Sequence, residues 1–328
     1  MKSVFIGVDI SKDWLDVAIC ADVTEPVTEV FQVGNSLKGI GKLIRKCTKL
    51  KFRPWVCFEH TGNYGLLLSH LLDNAEICYS AVPALEIKNS IGVTRGKTDR
   101  VDAIRIAVYA ATHAHRLKPG KLPSTVLLQL KSMLTYRDQL GNMSRQWQNM
   151  LKSHRISTAV IDNRKIVKDI GKQVVQLKKK VVVLEAQIME LIHGQADLAE
   201  KYNQAITVKG VGPIIASQML VLTNNFTSFD NARKFNCYAG LAPFEHSSGS
   251  SIKGKTRTSP LRNRKIKALL LNGANSAAVH DTELRNYFKR KTAEGKHRMV
   301  VLNTIACKLV YRIFAVVNRT EPYVQISH

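Results

Sequence analysis

The chain runs to 328 residues, 45% of them hydrophobic, with 49 Lys and Arg against 25 Asp and Glu and a formal net charge of +24. That length suits two or three domains with packed cores, and an excess of base this large suits a polyanionic partner. It argues against a membrane or secreted protein too, since no apolar run approaches a membrane span and the N-terminus lacks a signal-peptide pattern. The charge is uneven: +5 over residues 1–124, +6 over 125–205 and +13 over 206–328. The C-terminal third is therefore the main candidate for polyanion binding. Six cysteines, Cys20, Cys47, Cys57, Cys78, Cys237 and Cys307, include no Cys-x-x-Cys pair. Buried free thiols are the expectation, not disulfides or a zinc site.

In chain order, period-2 patterning predicts strands at Ser3–Asp9, Leu15–Cys20 and Val27–Val33, separated by polar turns. An amphipathic helix fits Leu37–Cys47, a strand Arg53–Glu59, a helix Tyr64–Leu72 and a strand Glu76–Ala81. Pro83 opens a short helix that gives way to a loop at Gly92–Lys97. Thr98 stands where a helix N-cap belongs, at the head of an apolar-periodic run reaching about residue 114.

That last helix begins Asp99-Arg100-Val101-Asp102, so its two carboxylates share one face of the first turn. Taken alone, they merely complement the helix dipole. Upstream, however, Asp9 closes one apolar strand and Glu59 closes another. Two strands ending in carboxylates and a helix starting with two more describe a metal site. Three strands, then alternating helix and strand, then an acid-bearing helix is the order of an α/β RNase H-like fold. Phosphodiester displacement requires charge neutralisation on the attacking and leaving oxygens, which two divalent ions about 4 Å apart supply. An all-carboxylate donor set suits Mg2+ better than zinc, with Mn2+ as a substitute.

Lys118-Pro119-Gly120 and Pro123 mark a boundary, giving a first domain over residues 1–122. A helical connector follows over 123–204. Within it Ile170, Val174, Leu177, Val181, Leu184, Ile188 and Leu191 alternate in steps of four and three, a heptad seam. The seam fits an intrachain helical hairpin or an intermolecular coiled coil, and the coiled coil is the preferred expectation.

The third region, 205–328, opens with Lys209-Gly210-Val211-Gly212-Pro213. A Gly-x-Gly turn ahead of a helix suits a helix-hairpin-helix, whose backbone N–H groups hold phosphates without reading bases; a plain tight turn explains it about as well. Next come Tyr238-Ala239-Gly240-Leu241-Ala242-Pro243 and the Ser/Gly run His246–Ser251, which by composition is a flexible loop. From Lys253 to Lys267 there are seven basic residues and no acid, among them Lys255, Arg257, Arg262, Arg264 and Lys265. Such a run suits a nucleic-acid backbone.

Five stretches in this order then look like one family: GVDISKDWLDVAI with Asp9, FEHTGNYG with Glu59, RGKTDRVDA with Asp99 and Asp102, VKGVGPIIA, and YAGLAP…SSG…KGKTRTS. Together they resemble the transposases and invertases of the insertion-sequence-110 group, which include the Piv-type DNA invertases. The resemblance implies a RuvC-like N-terminal nuclease domain with a DEDD site, a coiled-coil connector, and a mainly α-helical C-terminal transposase domain that contributes a serine. The family's nucleophilic serine precedes the glycine of its Ser-Gly pair, which is Ser248 here, with Ser247 its neighbour and competitor. The family often shows Ser-Lys-x-Gly-Asn further on, where this chain has Ser259-Pro260-Leu261-Arg262-Asn263. The resemblance further implies guidance by a structured noncoding bridge RNA, double-stranded donor and target DNA as partners, and a homo-oligomer, dimer or tetramer.

The expectation is a Mg2+-dependent DNA recombinase in the cytoplasm, associated with the nucleoid. Asp9, Glu59, Asp99 and Asp102 are its metal-binding catalytic acids and Ser248 its nucleophile. Lys209, Gly210, Gly212, Lys253, Lys255, Arg257, Arg262, Arg264 and Lys265 would hold nucleic acid. The rival readings are a RuvC-like structure-specific nuclease in which water attacks, an invertase without an RNA guide, and a catalytically silent nucleic-acid-binding protein.

Overall fold

The computed structural model describes residues 3–21, 27–60, 62–91, 98–248, 252–258 and 262–324; for residues 91, 244–248 and 252–257 it describes the backbone alone. The chain divides into two compact units, residues 1–122 and 123–328.

The first unit is built on a five-stranded mixed sheet. Its strands are β1 (Ser3–Ile10), β2 (Trp14–Cys20), β3 (Glu29–Gly34), β4 (Arg53–Glu59) and β5 (Cys78–Val82). They stand in the order β3-β2-β1-β4-β5. β1, β2 and β3 pair antiparallel, whereas β4 and β5 run parallel to β1. Three meandering strands followed by two parallel ones fit an RNase H-like unit.

Alternation along β1 divides its side chains between two faces. Val4, Ile6, Val8 and Ile10 join Leu15, Val17, Val56 and Phe58 in a core sealed by helices α1 (Leu37–Thr48) and α2 (Leu66–Asn74). The opposite face carries Phe5, Gly7, Ala18, Cys20 and Cys57 beneath α3 (Ala84–Ile91) and α4 (Asp99–Thr112). Small residues let α4 lie close. A Cβ on Gly7 would fall 2.2 Å from the Ala107 nitrogen and 2.3 Å from the Ala103 carbonyl oxygen. The predicted Gly92–Lys97 loop lies outside the described residues.

The second unit is mostly helical. α5 (Thr125–Ser157) and α6 (Arg164–His193) form an antiparallel hairpin, tied midway by Arg137 to Glu185 at 2.7 Å. The seam residues Ile170, Val174, Leu177, Leu184 and Ile188 are buried. Leu177, Leu184 and Ile188 share one core with Leu127, Leu130, Leu134 and Leu140 of α5. Of the two readings of the heptad seam, the chain here shows the intrachain hairpin.

Helices α7 (Ala196–Ile206), α8 (Pro213–Leu222), α9 (Ala232–Ala239), α10 (Arg264–His280), α11 (Thr282–Ala293) and α12 (Arg298–Arg319) complete the unit. α12 corrects one expectation. Over 18 residues its mean hydropathy is 1.8, so by length and composition it could span a membrane. Here it is the central core helix, with Val301, Leu302, Ile305, Leu309, Val310, Ile313 and Phe314 all buried. Phe229 packs on Phe235 with ring centroids 5.2 Å apart.

The Ser/Gly and basic segment also departs from a flexible loop. It forms an antiparallel hairpin of β6 (Phe244–Ser248) and β7 (Ile252–Arg257), with Ser248 opposite Ile252 and Ser247 opposite Lys253. No disulfide joins any of the six cysteines, and Cys20, Cys47 and Cys57 are buried as expected. Burial pushes the Cys47 and Cys57 thiols up to about 12.

Candidate active site

Asp9 is next to last in β1, on the face that α4 covers. Glu59 ends β4, one step beyond the parallel pair Val8–Phe58, so the two carboxylates come off adjacent strand ends. α4 brings the other two. Thr98 caps it by accepting from the Val101 nitrogen at 3.3 Å, which starts the helix with Asp99 and Asp102 in its first turn. The close approach at Gly7 fixes α4 against β1, so these acids are held by backbone packing.

Electrostatics shows the convergence. The half-buried Asp9 carboxyl is pushed up to about 6, first by burial and then by Asp99, Asp102, Glu59 and Asp16. Asp102 pairs with Arg105 at 2.8 Å. Among the described residues no ion pair engages Asp9, Glu59 or Asp99. Hard oxygen donors gathered around a carboxyl that resists ionisation fit a divalent cation. Among the described residues no three His, Cys, Asp or Glu side chains stand close enough together to hold a metal ion as they are.

The sequence reading passed over Asp16. It is 3% exposed and lies directly across from Asp9 in the β1–β2 register. Gln32 of β3, opposite it on the other side, donates from Nε2 to both carboxylate oxygens at 3.3 and 3.1 Å. One signal was available: a lone charge at an inward position of the otherwise apolar Leu15-Asp16-Val17-Ala18-Ile19.

The remaining candidates lie in the second unit. Ser248 ends β6, and its side chain, like those of Lys253, Lys255 and Arg257, lies outside the described residues. Gly249–Ser251 lie outside them entirely. Gly210 has φ +95°, and a Cβ there would meet the Gly273 carbonyl oxygen at 2.6 Å. A close crossing onto α10 therefore accounts for this glycine, whereas a Cβ on Gly212 meets nothing within 4 Å. Gly212 is the N-cap of α8 in extended backbone and Lys209 is exposed in the preceding turn.

The basic residues around α10 divide. Lys265 is ion-paired with Asp138 of α5, and Arg262 packs over Gly240, whose φ of +69° ends α9. Lys267 donates to the Gly240 carbonyl at 2.7 Å, and burial lowers its ammonium pKa, helped by Arg262. Arg264 is exposed at the first turn of α10.

Comparison with known proteins adds the family. A DEDD transposase model of the insertion-sequence-110 group matches residues 6–155, and one described as "Transposase IS116/IS110/IS902 family" matches residues 203–289. The pilin gene-inverting protein of Moraxella bovis is 25% identical over 337 residues that cover all of both chains, and that of Moraxella lacunata matches equally. An uncharacterised 43.6 kDa protein of insertion element IS110 from Streptomyces coelicolor is 33% identical over 41% of this chain and 32% of its own. Thermus thermophilus RuvC in complex with a Holliday junction matches 36% of this chain and 99% of its own at 16% identity. Its TM-score is 0.28, so the RNase H-like assignment rests on strand order and carboxylate placement. Two models of one family match in order at either end and together take in well over half of the residues, and the chain belongs to the IS116/IS110/IS902 family of transposases.

Proposed function

We propose that the protein cuts and rejoins DNA with two sets of groups, an acid tetrad in its first unit and Ser248 in its second. Asp9, Glu59, Asp99 and Asp102 hold Mg2+, with Mn2+ as a substitute. The bound cations supply charge neutralisation on the attacking and leaving oxygens. Ser248 Oγ forms a bond to phosphorus while the bond to the leaving sugar oxygen breaks, and that oxygen takes up a proton. The resulting phosphoserine keeps the energy of the broken phosphodiester for rejoining. A serine hydroxyl is a weak nucleophile until its proton is removed, so Ser248 needs a base or a bound cation to activate it.

The observation that carries this reading is the placement of Asp9 and Glu59 at adjacent strand ends with Asp99 and Asp102 in the first turn of α4, which packs on β1. A fold that only bound nucleic acid would have no use for that concentration of like charge. The β7 bases Lys253, Lys255 and Arg257, Arg262 just ahead of α10 and Arg264 at its start, with the Lys209–Gly212 turn, support backbone contact with double-stranded DNA and with a structured bridge RNA. Lys265, paired with Asp138, is available to nucleic acid only when that pair opens. The family's dimer or tetramer, and a place on the nucleoid, belong to the same proposal.

A second reading, inversion of a resident segment without an RNA guide, is favoured by the full-length match to the pilin gene-inverting proteins. It uses the same acids and serine. The test common to both is Asp102→Asn. In Mg2+ this variant should cleave DNA at least about a hundredfold more slowly, a loss of ~3 kcal/mol of transition-state stabilisation, while binding DNA as before. Cleavage at the wild-type rate would remove Asp102 from the site.

A further inference from the structure

Asp16 is not one of the four acids, yet the sheet places it in their company. The β1–β2 register sets Asp9 opposite Asp16, and the β2–β3 register sets Asp16 opposite Gln32. Directly paired residues point to the same face with Cα atoms about 4.5–5.5 Å apart, so the three side chains form one row under the start of α4. Like charges opposite each other destabilise a sheet, and a buried carboxylate costs more than an exposed one. Asp16 carries both penalties. It is 3% exposed, and among the described residues no ion pair neutralises it. Its partner is the neutral Gln32 amide, one nitrogen shared between both oxygens.

Packing gives no reason for the charge. Gly7, Ala18, Cys20, Ala103 and Ala107 on the same face are small and uncharged. A carboxyl side chain buried there, gripped at both oxygens by one neutral donor, is suited to a cation arriving in front of it.

We propose that Asp16, held by Gln32, is an auxiliary residue of the acid site: it stands directly across the β1–β2 pair from Asp9, and its carboxylate raises divalent-cation affinity there. The inference rests on the acid-tetrad reading. It adds a fifth carboxylate and an amide acting from outside the tetrad, where partners of metal ligands commonly set affinity.

The test titrates Mn2+ into the full-length protein, follows free Mn2+ by its paramagnetic signal, and compares thermal melts in chelator. Asp16→Asn keeps the shape and removes the charge. It should weaken Mn2+ binding about ten- to a hundredfold and melt no lower than wild type in chelator. A residue that only clamps β2 to β3 gives the reverse, a lower melt with wild-type Mn2+ affinity, and that result overturns the inference. Asp9→Asn separates the two levels. If it loses Mn2+ and Asp16→Asn does not, the tetrad stands and Asp16 is excluded. If neither loses it, both fall. Should Asp16→Asn fail to fold, the exposed Gln32→Ala decides: Mn2+ binding weakened about threefold or more supports the inference, and unchanged binding overturns it.

Discussion

Asp9 carries the electrostatic strain of the site, and that strain has a sign. Its carboxyl is raised from 3.8 to about 6 by burial and by Asp99, Asp102, Glu59 and Asp16. The folded state therefore holds a proton that the unfolded chain releases. The stability linked to it is complete below about pH 4 and is lost as pH rises through 6. In chelator, Asp9→Asn should be more stable than wild type at pH 8 by ~1–2 kcal/mol, discounted from the full shift because Asp9 is half open to solvent. The difference should vanish at pH 4. Thermal melts at the two pH values check this, and a variant less stable than wild type at pH 8 would mean that Asp9 is already neutralised. The positions of the four acids were legible because each stands at or next to a strand end or in the first turn of a helix, positions that patterning locates. Asp16 was not: it sits mid-strand, where period-2 reading assigns a residue to a face without saying what stands opposite.

At the scale of elements, β1 and α4 are the pair on which the geometry depends. Alternation in Ser3–Ile10 and the Thr98 cap made both predictable, and Thr98 does accept from the helix as a cap should. Their separation was not predictable, since it depends on Gly7 meeting the backbone of Ala103 and Ala107. Backbone atoms cannot turn aside as a side chain can. Gly7→Ala should push α4 off the sheet, lower stability by about 1–3 kcal/mol and displace Asp99 and Asp102 enough to cost roughly a hundredfold in cleavage. Gly41→Ala, in α1 with nothing within 4 Å of the new Cβ, should stabilise by about 0.5–1 kcal/mol and leave cleavage unchanged. Melts and cleavage assays on both variants check the pair; equal behaviour would mean that α4 is not held by this contact. The β6–β7 hairpin escaped pattern reading for the opposite reason. Ser, Gly and Lys, which dominate residues 246–255, supply neither an apolar face nor β propensity, so composition says loop where backbone pairing makes two antiparallel strands.

At the scale of the molecule, the proposed chemistry is divided between the α/β unit that carries the four acids and the basic helical unit that carries Ser248. The heptad seam and α12 show where sequence stops at this scale. Heptad spacing fits a coiled coil between chains as well as a hairpin within one, and an apolar 22-residue helix fits a membrane as well as a core. Only the surrounding helices decide. The division of labour itself has a direct test in a covalent protein–DNA adduct. Full-length protein is incubated with Mg2+, DNA carrying the sequences that flank its gene and RNA transcribed from them, then denatured, digested and mapped by mass spectrometry. A phosphodiester-linked nucleotide should appear on Ser248 and disappear in Ser248→Ala, which should also lose rejoining. Ser247→Ala should keep at least part of both. An adduct mapped to Ser247, or recombination by Ser248→Ala at the wild-type level, would contradict Ser248 as the nucleophile and leave attack by water or by another side chain.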